Sequence, residues 1–544
     1  MTIQLTPACF SRLAYLAVVA LWAGIYLPAL GTLELQGEEG RRAQPGLTML
    51  ESGDWLVPEV GGEDYFRKPP LVNWAVAASV RLTGVKSEWS VRLPSVLAVL
   101  ALGLGLLHWL RPWLGLAGAL LAALVTLTNI SLMEKGRLIE IEALYIALCG
   151  LATAGWLRYW LDGRRLAAWL VAGLLLGLAM LAKGPLHLWF FYVVVAATLR
   201  AREGAWRAAA RALIDWRHAL ALALCGGIFA LWALPMQQAA AAQGADAGAA
   251  ATWSQQLLAR LGFDGFSLWT WWENLFRSAI VNFLPWAALF PLVWHRPLAE
   301  AMSGERARLF RALRWALIVG WLPVAALPGS APRYTLPLMT LAAILVAIAL
   351  VEWNAARQPP WLLRAWRGTI IAVAGLCLLC GLALPFAAGF SLPLMLAAMT
   401  VAFAAAAALA LARRLGHAVS QMLISAALMV CISAIFALAV APKMRGHDQL
   451  ATMAGEVAAV VPDDATLYFF RPDYQPLIFY LPRPLERINS GGRLEDLPAR
   501  YLLVRERHLE QLLSRRGWSD PRFLLEVEDL DGKPLHLLKK RHAN

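Results

Sequence analysis

Long apolar runs, separated by short polar connections, set the pattern of this chain. With about 20 residues as the length that crosses a hydrocarbon core of about 30 Å, we count about thirteen runs of spanning or near-spanning length. They cover residues 13–32, 91–110, 113–132, 141–161, 166–183, 185–199, 218–238, 278–295, 313–328, 334–352, 368–388, 391–412 and 419–441. The first run is long enough to span, so we expect a retained first helix and no cleaved signal. The pattern predicts an all-α polytopic membrane protein.

Composition agrees with this fold class. The chain is 59% hydrophobic and 16% charged, and its mean hydropathy is +0.56, which is far too apolar for a soluble protein. A net charge of +13 could indicate a nucleic-acid partner, but the arginines cluster in short loops, as topology signals do. Cys377 and Cys380 form a C-x-x-C inside an apolar run with no His or acid nearby, so we expect packing there. We therefore expect membrane lipids around the chain and no nucleic acid.

The arginine-rich loops predict the orientation of the chain. Alternate loops contain Arg111; Arg158, Arg164 and Arg165; Arg200, Arg202, Arg207, Arg211 and Arg217; Arg296, Arg306, Arg308, Arg311 and Arg314; Arg357, Arg364 and Arg367; and Arg413 and Arg414. By the positive-inside rule these loops are cytoplasmic. Residues 33–90, 133–140, 239–277, 329–333 and the tail from 442 then face the opposite side.

The tail differs from the rest of the chain. After His447 it is charged and mixed, with a helix-like stretch at 449–460 and strand-like stretches at 466–470, 477–481, 501–506 and 523–529. No nucleophile elbow, phosphate-binding loop or metal-ligand spacing occurs in it. We therefore expect a membrane domain at residues 1–442, with outer loops 33–90, 133–140 and 239–277, and a small extracytoplasmic α/β domain at 443–544 with an accessory or docking role.

The first outer loop, residues 34–70, concentrates acids, bases and aromatics. Glu38 and Glu39 follow the first span, and Arg41 and Arg42 come directly after them. The segment SGDWLVP contains Asp54, and YFRKPP runs from Tyr65 to a rigid double proline. Charges are also normal in a plain solvated loop, so this loop alone does not define a site.

A second acidic cluster lies on the same predicted face. Glu140 and Glu142 stand where an apolar helix begins, and acids there are costly in lipid unless they face protein or a water-filled cavity. Two acidic clusters that open to one face could hold a general base, a divalent cation or both.

Two basic residues complete this face. Lys183 ends a span in the segment AKGP, where a lone lysine commonly reaches to the interface. Arg333, in PGSAPRYTLP, departs from the positive-inside pattern, and a phosphate partner would explain it. A lipid transporter or flippase is the alternative class, but transporters place ionisable groups near the bilayer midplane and commonly contain internal repeats. The one-sided placement favours an enzyme.

Eight short motifs occur in an order that resembles a known family. They are the acidic pair with R-x-A, SGDW-x-x-P, YF-x-KPPL with Trp74, RLPS at 92–95, GR-x-x-x-x-E at 136–142, KGP, LPW at 284–286 and PRY-x-LP. Together they resemble the polyprenyl-phosphate-dependent glycosyltransferases of the GT-C fold, in particular the bacterial relatives of protein O-mannosyltransferases that include the lipid A aminoarabinose transferases. The similarity covers most of residues 13–350, and the tail matches only in layout.

The resemblance implies roles for residues in these motifs. The catalytic acids would be Glu38, Glu39 and Glu142, with Glu140 as a rival to the last. The donor phosphate would be bound by Lys68, Arg41 and Arg333, because cations stabilise a departing phosphate. The substrate would also contact Tyr65, Tyr334, Asp54 and Lys183. A divalent metal is a candidate cofactor, with Glu39, Glu142 and Glu140 as its ligands.

The function implied by the resemblance is transfer of a sugar from undecaprenyl phosphate to an extracytoplasmic acceptor, with inversion. The expected pair is 4-amino-4-deoxy-L-arabinose and a phosphate of lipid A. Transfer of another sugar, such as mannose, to protein or polysaccharide is the alternative. We expect a bacterial inner membrane protein whose active site and tail face the periplasm.

Overall fold

The chain forms two compact units. The structure is a computed structural model that describes residues 7–60, 63–65, 67–204, 206–242, 255, 258, 262, 267–353, 360–388, 390–414, 417–446, 449–472, 476–481, 485–488, 500–515, 517–528 and 533–541. The first unit, here the membrane unit, comprises Met1–Leu30, Arg67–Leu71 and Arg92–Ala441. The second, here the loop–tail unit, comprises Gly31–Phe66, Val72–Val91 and Pro442–Asn544. Most of the first outer loop thus groups with the tail, whereas the sequence pattern predicted that it belongs to the membrane domain.

Helices dominate the chain as far as residue 445. The first elements are α1 Pro7–Tyr26, α2 Gly40–Ser52, β1 Glu59–Val60, β2 Glu63–Asp64, α3 Leu71–Thr83, α4 Glu88–Leu127, α5 Ile130–Lys135, α6 Ile141–Leu161, α7 Arg165–Lys183, α8 Leu186–Glu203, α9 Trp206–Ile214 and α10 Trp216–Ala242. They are followed by α11 Leu268–Ala279, 3-10 helices Val281–Phe283 and Trp286–Leu289, α12 Phe290–Val293, α13 Arg296–Ala301, α14 Gly304–Ala325, 3-10 helix Pro332–Leu338, α15 Met339–Trp353, α16 Pro360–Ala388, α17 Leu392–Arg414, α18 Ala418–Ile435, π-helix Phe436–Val440 and α19 Ala441–Arg445.

The helices of the membrane unit include many that could cross a membrane. Within the described ranges, nine are long and apolar enough, or ten if the bent pair Leu268–Phe283 and Trp286–Val293 is one span. Two predicted runs share the 40-residue α4, which is broken at Gly115 (φ 73°, ψ 173°). Two others fall on α8 and α14, which carry charged residues at one end. The polytopic all-α architecture is confirmed, and the number of spans stays a prediction.

Two motif arginines bind the end of α1 and the turn that follows it. Arg92 donates from Nη1 to the carbonyl oxygen of Leu30 at 2.8 Å. Arg137 donates to the carbonyl oxygens of Ile25, at 2.6 Å, and Pro28. A helix C-terminus leaves carbonyl groups without partners inside the helix, and guanidinium groups satisfy them. These two arginines therefore have a structural role.

Close helix packing in the membrane unit depends on small residues. A Cβ atom on Gly173 of α7 would lie 2.7 Å from the carbonyl oxygen of Ala221 in α10. Real Cβ atoms do not approach backbone oxygen that closely, so any larger residue would separate the two helices. Small residues allow this approach in membranes, where helices associate by packing.

The described part of the tail folds as an α/β layer. Its elements are α20 Leu450–Val460, β3 Leu467–Phe470, α21 Leu477–Tyr480, β4 Leu485–Ile488, β5 Tyr501–Arg505, α22 Glu506–Leu513, β6 Arg522–Glu528 and β7 Pro534–Lys539. The sheet order is β4-β3-β5-β7-β6, with β3 parallel to β4 and β5, and β7 antiparallel to β5 and β6. β3 and β5 are buried along their whole length, as central parallel strands are.

One predicted strand of the tail is wrong. The stretch 477–481 forms helix α21, which begins directly after Pro476. Short apolar runs do not distinguish a buried strand from a buried helix by periodicity. The other strand-like stretches are strands β3, β5 and β6, and the helix-like stretch is α20. The edge strand β4 and the strand β7 were not predicted.

Within the loop–tail unit, the first outer loop is bound to the tail by specific hydrogen bonds. The Glu34 carboxylate accepts from the backbone N–H groups of Leu450 and Ala451, each at 2.8 Å, and so caps the N-terminus of α20. The Tyr480 hydroxyl accepts from the N–H of Leu35 at 2.8 Å. These contacts explain why the first outer loop and the tail form one unit.

Candidate active site

The acidic pair stands at the start of α2, and its two members have different surroundings. Glu39 is fully buried, and its Oε2 accepts from the N–H of Gln36 at 2.9 Å. The Glu38 side chain is 45% exposed and forms ion pairs with Arg41 at 2.8 Å and Arg42 at 3.2 Å. Glu39 thus closes the turn before α2, and Glu38 presents a carboxylate to the solvent side. Glu38 is the better candidate for contact with substrate.

Arg42 connects the acidic pair to Tyr65. It donates from Nη1 to the Tyr65 hydroxyl at 2.9 Å, while its own carbonyl oxygen accepts from the Asn73 amide at 2.9 Å. Arg42 was not among the predicted site residues. The spacing of four residues between Glu38 and Arg42 could have indicated that Arg42 contacts the acidic pair, because residues at this spacing are neighbours on a helix surface.

The position of α2 depends on a glycine. A Cβ atom on Gly46 would lie 2.7 Å from the carbonyl oxygen of Asn73 and 3.0 Å from the Val76 side chain. Glycine therefore lets α2 lie directly against α3. This packing holds the helix that begins at the acidic pair.

Asp54 forms the turn that follows α2. Gly53 ends the helix in the left-handed region (φ 75°), and Asp54 Oδ1 then accepts from the N–H of Leu56 at 2.8 Å. Turns of this type use the short side chain of Asp. Asp54 is exposed, and its substrate-binding role stays a prediction.

Three predicted site residues meet in the membrane unit. Glu142, in the first turn of α6, accepts from Lys183 Nζ, at the end of α7, at 2.7 Å. Arg333 Nε, in the 3-10 helix before α15, lies 3.7 Å from the same carboxylate oxygen. The structure brings these three residues together, and their catalytic and binding roles stay predictions.

Aromatic rings surround the lysine of this cluster. Lys183 Nζ lies 5.4 Å from the ring centres of both Tyr334 and Tyr145, a distance at which rings attract cations. Tyr334 was predicted and Tyr145 was not. Tyr145 stands three residues after Glu142 on α6, so helical spacing could have indicated it.

The two cations of this cluster differ in access. The Lys183 side chain is 11% exposed and Arg333 is 54% exposed. Glu142 therefore neutralises a buried lysine, whereas Arg333 keeps part of its guanidinium open to a ligand. Lys68, half-buried in the turn before α3, belongs to the same unit.

Glu140 and Glu142 form ion pairs with different lysines. The Glu140 carboxylate lies 3.3 Å from Lys135, which also lies 3.0 Å from Glu134. Among the residues that the structure describes, no group of three or more His, Cys, Asp or Glu side chains could hold a metal ion. A carboxylate already bound to a lysine is a poor start for a cation site. The divalent metal stays a prediction.

Helix α11 supports the segment that contains Arg333. Trp271 donates to the carbonyl oxygen of Ala326 at 3.0 Å, and the Asn274 amide donates to that of Ser330 at 3.2 Å. Trp269 and Trp272 are 79% and 56% exposed. Most of the predicted outer loop 239–277 before this helix, at 243–254, 256–257, 259–261 and 263–266, lies outside the described residues.

Comparison with known proteins identifies the fold. A crystal structure of ArnT from Cupriavidus metallidurans bound to undecaprenyl phosphate superposes with a TM-score of 0.67, at 19% identity and with 98% of both chains covered. The fold is that of the GT-C glycosyltransferases. Residues 67–232 also match the family model described as dolichyl-phosphate-mannose-protein mannosyltransferase. The resemblance to GT-C proteins expected from the motifs is confirmed.

This chain is similar in sequence to curated proteins that are named undecaprenyl phosphate-alpha-4-amino-4-deoxy-L-arabinose arabinosyl transferase. The protein of Pseudomonas aeruginosa (strain UCBPP-PA14) is 30% identical over 327 residues, which cover 58% of this chain and 55% of the relative. That of Pseudomonas paraeruginosa (strain DSM 24068 / PA7) is 30% identical over 361 residues, covering 64% and 61%. The chain thus spans 55% and 61% of the lengths of these two relatives.

Proposed function

We propose that this protein is an integral membrane glycosyltransferase that moves a sugar from an undecaprenyl phosphate donor to an extracytoplasmic acceptor. The proposed pair is 4-amino-4-deoxy-L-arabinose and a lipid A phosphate, in keeping with the names of the similar proteins. The observation that carries the proposal is the cluster of Arg333, Lys183 and Glu142 in a GT-C fold. It offers an exposed guanidinium, oriented by a buried ion pair, to an anionic ligand.

The donor side of the reaction needs positive charge. When the bond between the sugar C1 and the phosphate oxygen breaks, negative charge develops on the leaving phosphate, and oriented cations stabilise it. Arg333 is the most accessible cation of the cluster, and Lys68 is the further candidate. Glu142 positions both Lys183 and Arg333, because its Oε1 faces both.

The acceptor side needs a carboxylate or an already ionised nucleophile. An acceptor oxygen attacks C1 from the face opposite the leaving phosphate, so the configuration at C1 inverts. A hydroxyl acceptor would give its proton to a base, and Glu38 is the accessible carboxylate of the acidic pair. A lipid A phosphate is already ionised near neutral pH, so Glu38 and its arginines would then orient the acceptor.

We place the protein in a bacterial inner membrane, with the acidic pair and the tail on the periplasmic side. The distribution of arginines in alternate loops supports this orientation. Lipid-linked sugar donors and lipid A are membrane components, so a site at the membrane face could receive both.

A second candidate is transfer of another sugar, such as mannose, to protein or polysaccharide. The match of residues 67–232 to the mannosyltransferase family model favours it. A transporter is less well supported, because Glu142, Lys183 and Arg333 lie at the ends of their helices.

The experiment is a transfer assay with purified protein in lipid nanodiscs. Undecaprenyl phosphate carrying aminoarabinose or mannose is offered with lipid A or with a protein acceptor, and the products of each donor–acceptor pair are measured by mass spectrometry. We expect modified lipid A from the aminoarabinose donor, loss of product with Arg333→Gln, and wild-type product with the control Arg413→Gln on α17. Product from mannose and a protein acceptor alone would select the second candidate. No transfer with any pair would refute the enzymatic proposal.

A further inference from the structure

A charged cavity lies inside the loop–tail unit. It has a volume of about 430 Å³, and its walls come from α2, β1, the connection between α3 and α4, α21 and β4. Its charged residues are Glu51, Glu59, Lys86 and Arg487. None of them belongs to the acidic pair or to the Glu142 cluster. A cavity of this size suits a small organic ligand and is larger than a single ion requires.

The four charges attract one another across the cavity, since Glu51 acts on both Lys86 and Arg487, but they are not in direct contact. Within the described part of the chain, no ion pair joins any of them to an opposite charge. Arg487 donates to Thr48 Oγ1 at 3.4 Å, and its Nε is buried without a hydrogen-bond acceptor. Lys86 Nζ lies 5.4 Å from the centre of the Phe479 ring. Both cations therefore have donor capacity that none of the described residues uses.

Burial makes this arrangement costly. Burial lowers the pKa of Lys86 and of Arg487, and it raises the pKa of Glu59, so each charged form is partly desolvated. Partly buried charges without direct partners cost free energy, and a ligand that supplies the missing contacts recovers it. Such residues are a recognised mark of a binding site.

The sign of the charges restricts the ligand. Two cations and two carboxylates give the four residues a formal charge of zero, so a simple polyanion would be repelled by Glu51 and Glu59. A simple amine would be repelled by Lys86 and Arg487. A molecule with both an anionic and a cationic group satisfies all four residues.

We propose that this cavity binds a zwitterionic compound that carries a phosphate and a primary amine, with the phosphate at Lys86 and Arg487 and the ammonium group at Glu51 and Glu59. The phosphate accepts from the buried Nε of Arg487, and the ammonium group donates to the carboxylates. Two sources have this chemistry, a soluble amino-sugar phosphate and the ethanolamine phosphate headgroup of a membrane lipid. The proposal is independent of the proposed transferase activity.

Helix α2 gives the cavity its link to the rest of the loop–tail unit. Thr48 and Glu51 line the cavity from the C-terminal half of this helix, whose first turn follows the acidic pair. A ligand in the cavity therefore contacts the helix that carries Arg42 in its first turn and begins directly after the acidic pair.

The test is calorimetric titration of the full-length protein in detergent. The probes are glucosamine 6-phosphate and O-phosphoethanolamine, and the matched controls are glucose 6-phosphate, glucosamine and inorganic phosphate. We expect saturable binding of at least one zwitterion, about tenfold tighter than of a control that lacks either charged group, which is the worth of one charge-assisted hydrogen bond. Displacement by phosphatidylethanolamine nanodiscs identifies the lipid source, and no displacement identifies the soluble source.

Variants locate the binding in this cavity. Arg487→Gln and Lys86→Gln should each weaken zwitterion binding about tenfold, and Arg522→Gln, on the exposed start of β6, should leave it unchanged. Glu51→Gln should weaken zwitterion binding, because the ammonium group loses a carboxylate partner. The same variant should strengthen binding of inorganic phosphate, because Glu51 no longer repels the anion. Lys86→Gln changes a residue in a connection, so it keeps the test valid if Arg487→Gln fails to fold. Absence of zwitterion binding, equal binding of inorganic phosphate, or an unchanged preference in Glu51→Gln would overturn the proposal.

Discussion

The ion pair between Glu142 and Lys183 allows a sharp prediction about stability. Their side chains are 8% and 11% exposed, and the carboxylate and ammonium groups lie 2.7 Å apart. Removing one member of such a pair leaves a buried charge without compensation, which costs about 3–5 kcal/mol. Glu142→Gln alone should therefore lower the free energy of unfolding by about that amount, and Lys183→Met by less, because Arg333 still lies 3.7 Å from the Glu142 carboxylate.

The double variant Glu142→Gln/Lys183→Met separates this cause from simple loss of packing. With both charges removed, no uncompensated charge stays buried, so a large part of the lost stability should return. The assay is thermal unfolding in detergent, with the apparent melting temperatures of the wild type, both single variants and the double variant compared. Single variants that melt like the wild type, or a double variant whose loss equals the sum of both single losses, would refute the reasoning.

Four further predictions concern the two units. Arg333→Gln, at a side chain that is 54% exposed, should cost no more than about 1 kcal/mol of stability yet lower transfer about a hundredfold, measured by melting and by product formation. Glu38→Gln should lower transfer strongly and the melting temperature only slightly, whereas the buried Glu39→Gln should lower the melting temperature more; the reverse pattern would contradict our assignment. Gly46→Val should separate α2 from α3 and reduce both transfer and stability, while Gly84→Ala, with open space around its Cβ but a positive φ, should affect stability alone. Burial raises the pKa of Glu59 above 4.5, so the folded state holds this proton more tightly than the unfolded state does. The free energy of unfolding should therefore fall as the pH rises from 4.5 through the raised pKa. Glu59→Gln should flatten that part of the profile when melting is measured as a function of pH.

The sequence motifs indicated the cluster of Glu142, Lys183 and Arg333 more fully than they indicated the contacts of the loop–tail unit. Glu142, Lys183 and Arg333 stand at the ends of apolar runs, where charged residues are rare enough that each is conspicuous in the sequence alone. Arg92 and Arg137 belong to equally recognisable motifs, yet they bind backbone carbonyl groups at the end of α1 and in the turn after it. A motif therefore indicates that a residue matters without telling whether it binds substrate or holds the backbone.

Sequence by itself determined that this protein is a bundle of membrane helices with a mixed tail. In lipid, the backbone N–H and C=O groups of an apolar run of about 20 residues have to form hydrogen bonds within the run. The composition of such a run therefore predicts a helix without any tertiary contact. Local patterns also placed α20, β3, β5 and β6, because their periodicity is complete within a few residues.

Tertiary structure alone decided how the polar residues are used. It showed that Glu39 is buried and Glu38 exposed, that residues 477–481 are helical, and that the first outer loop folds with the tail. It also brought Lys86 and Arg487 to one cavity from distant parts of the chain. Solvent access and the contacts between distant segments depend on how whole elements pack, and no local pattern of residues records that packing.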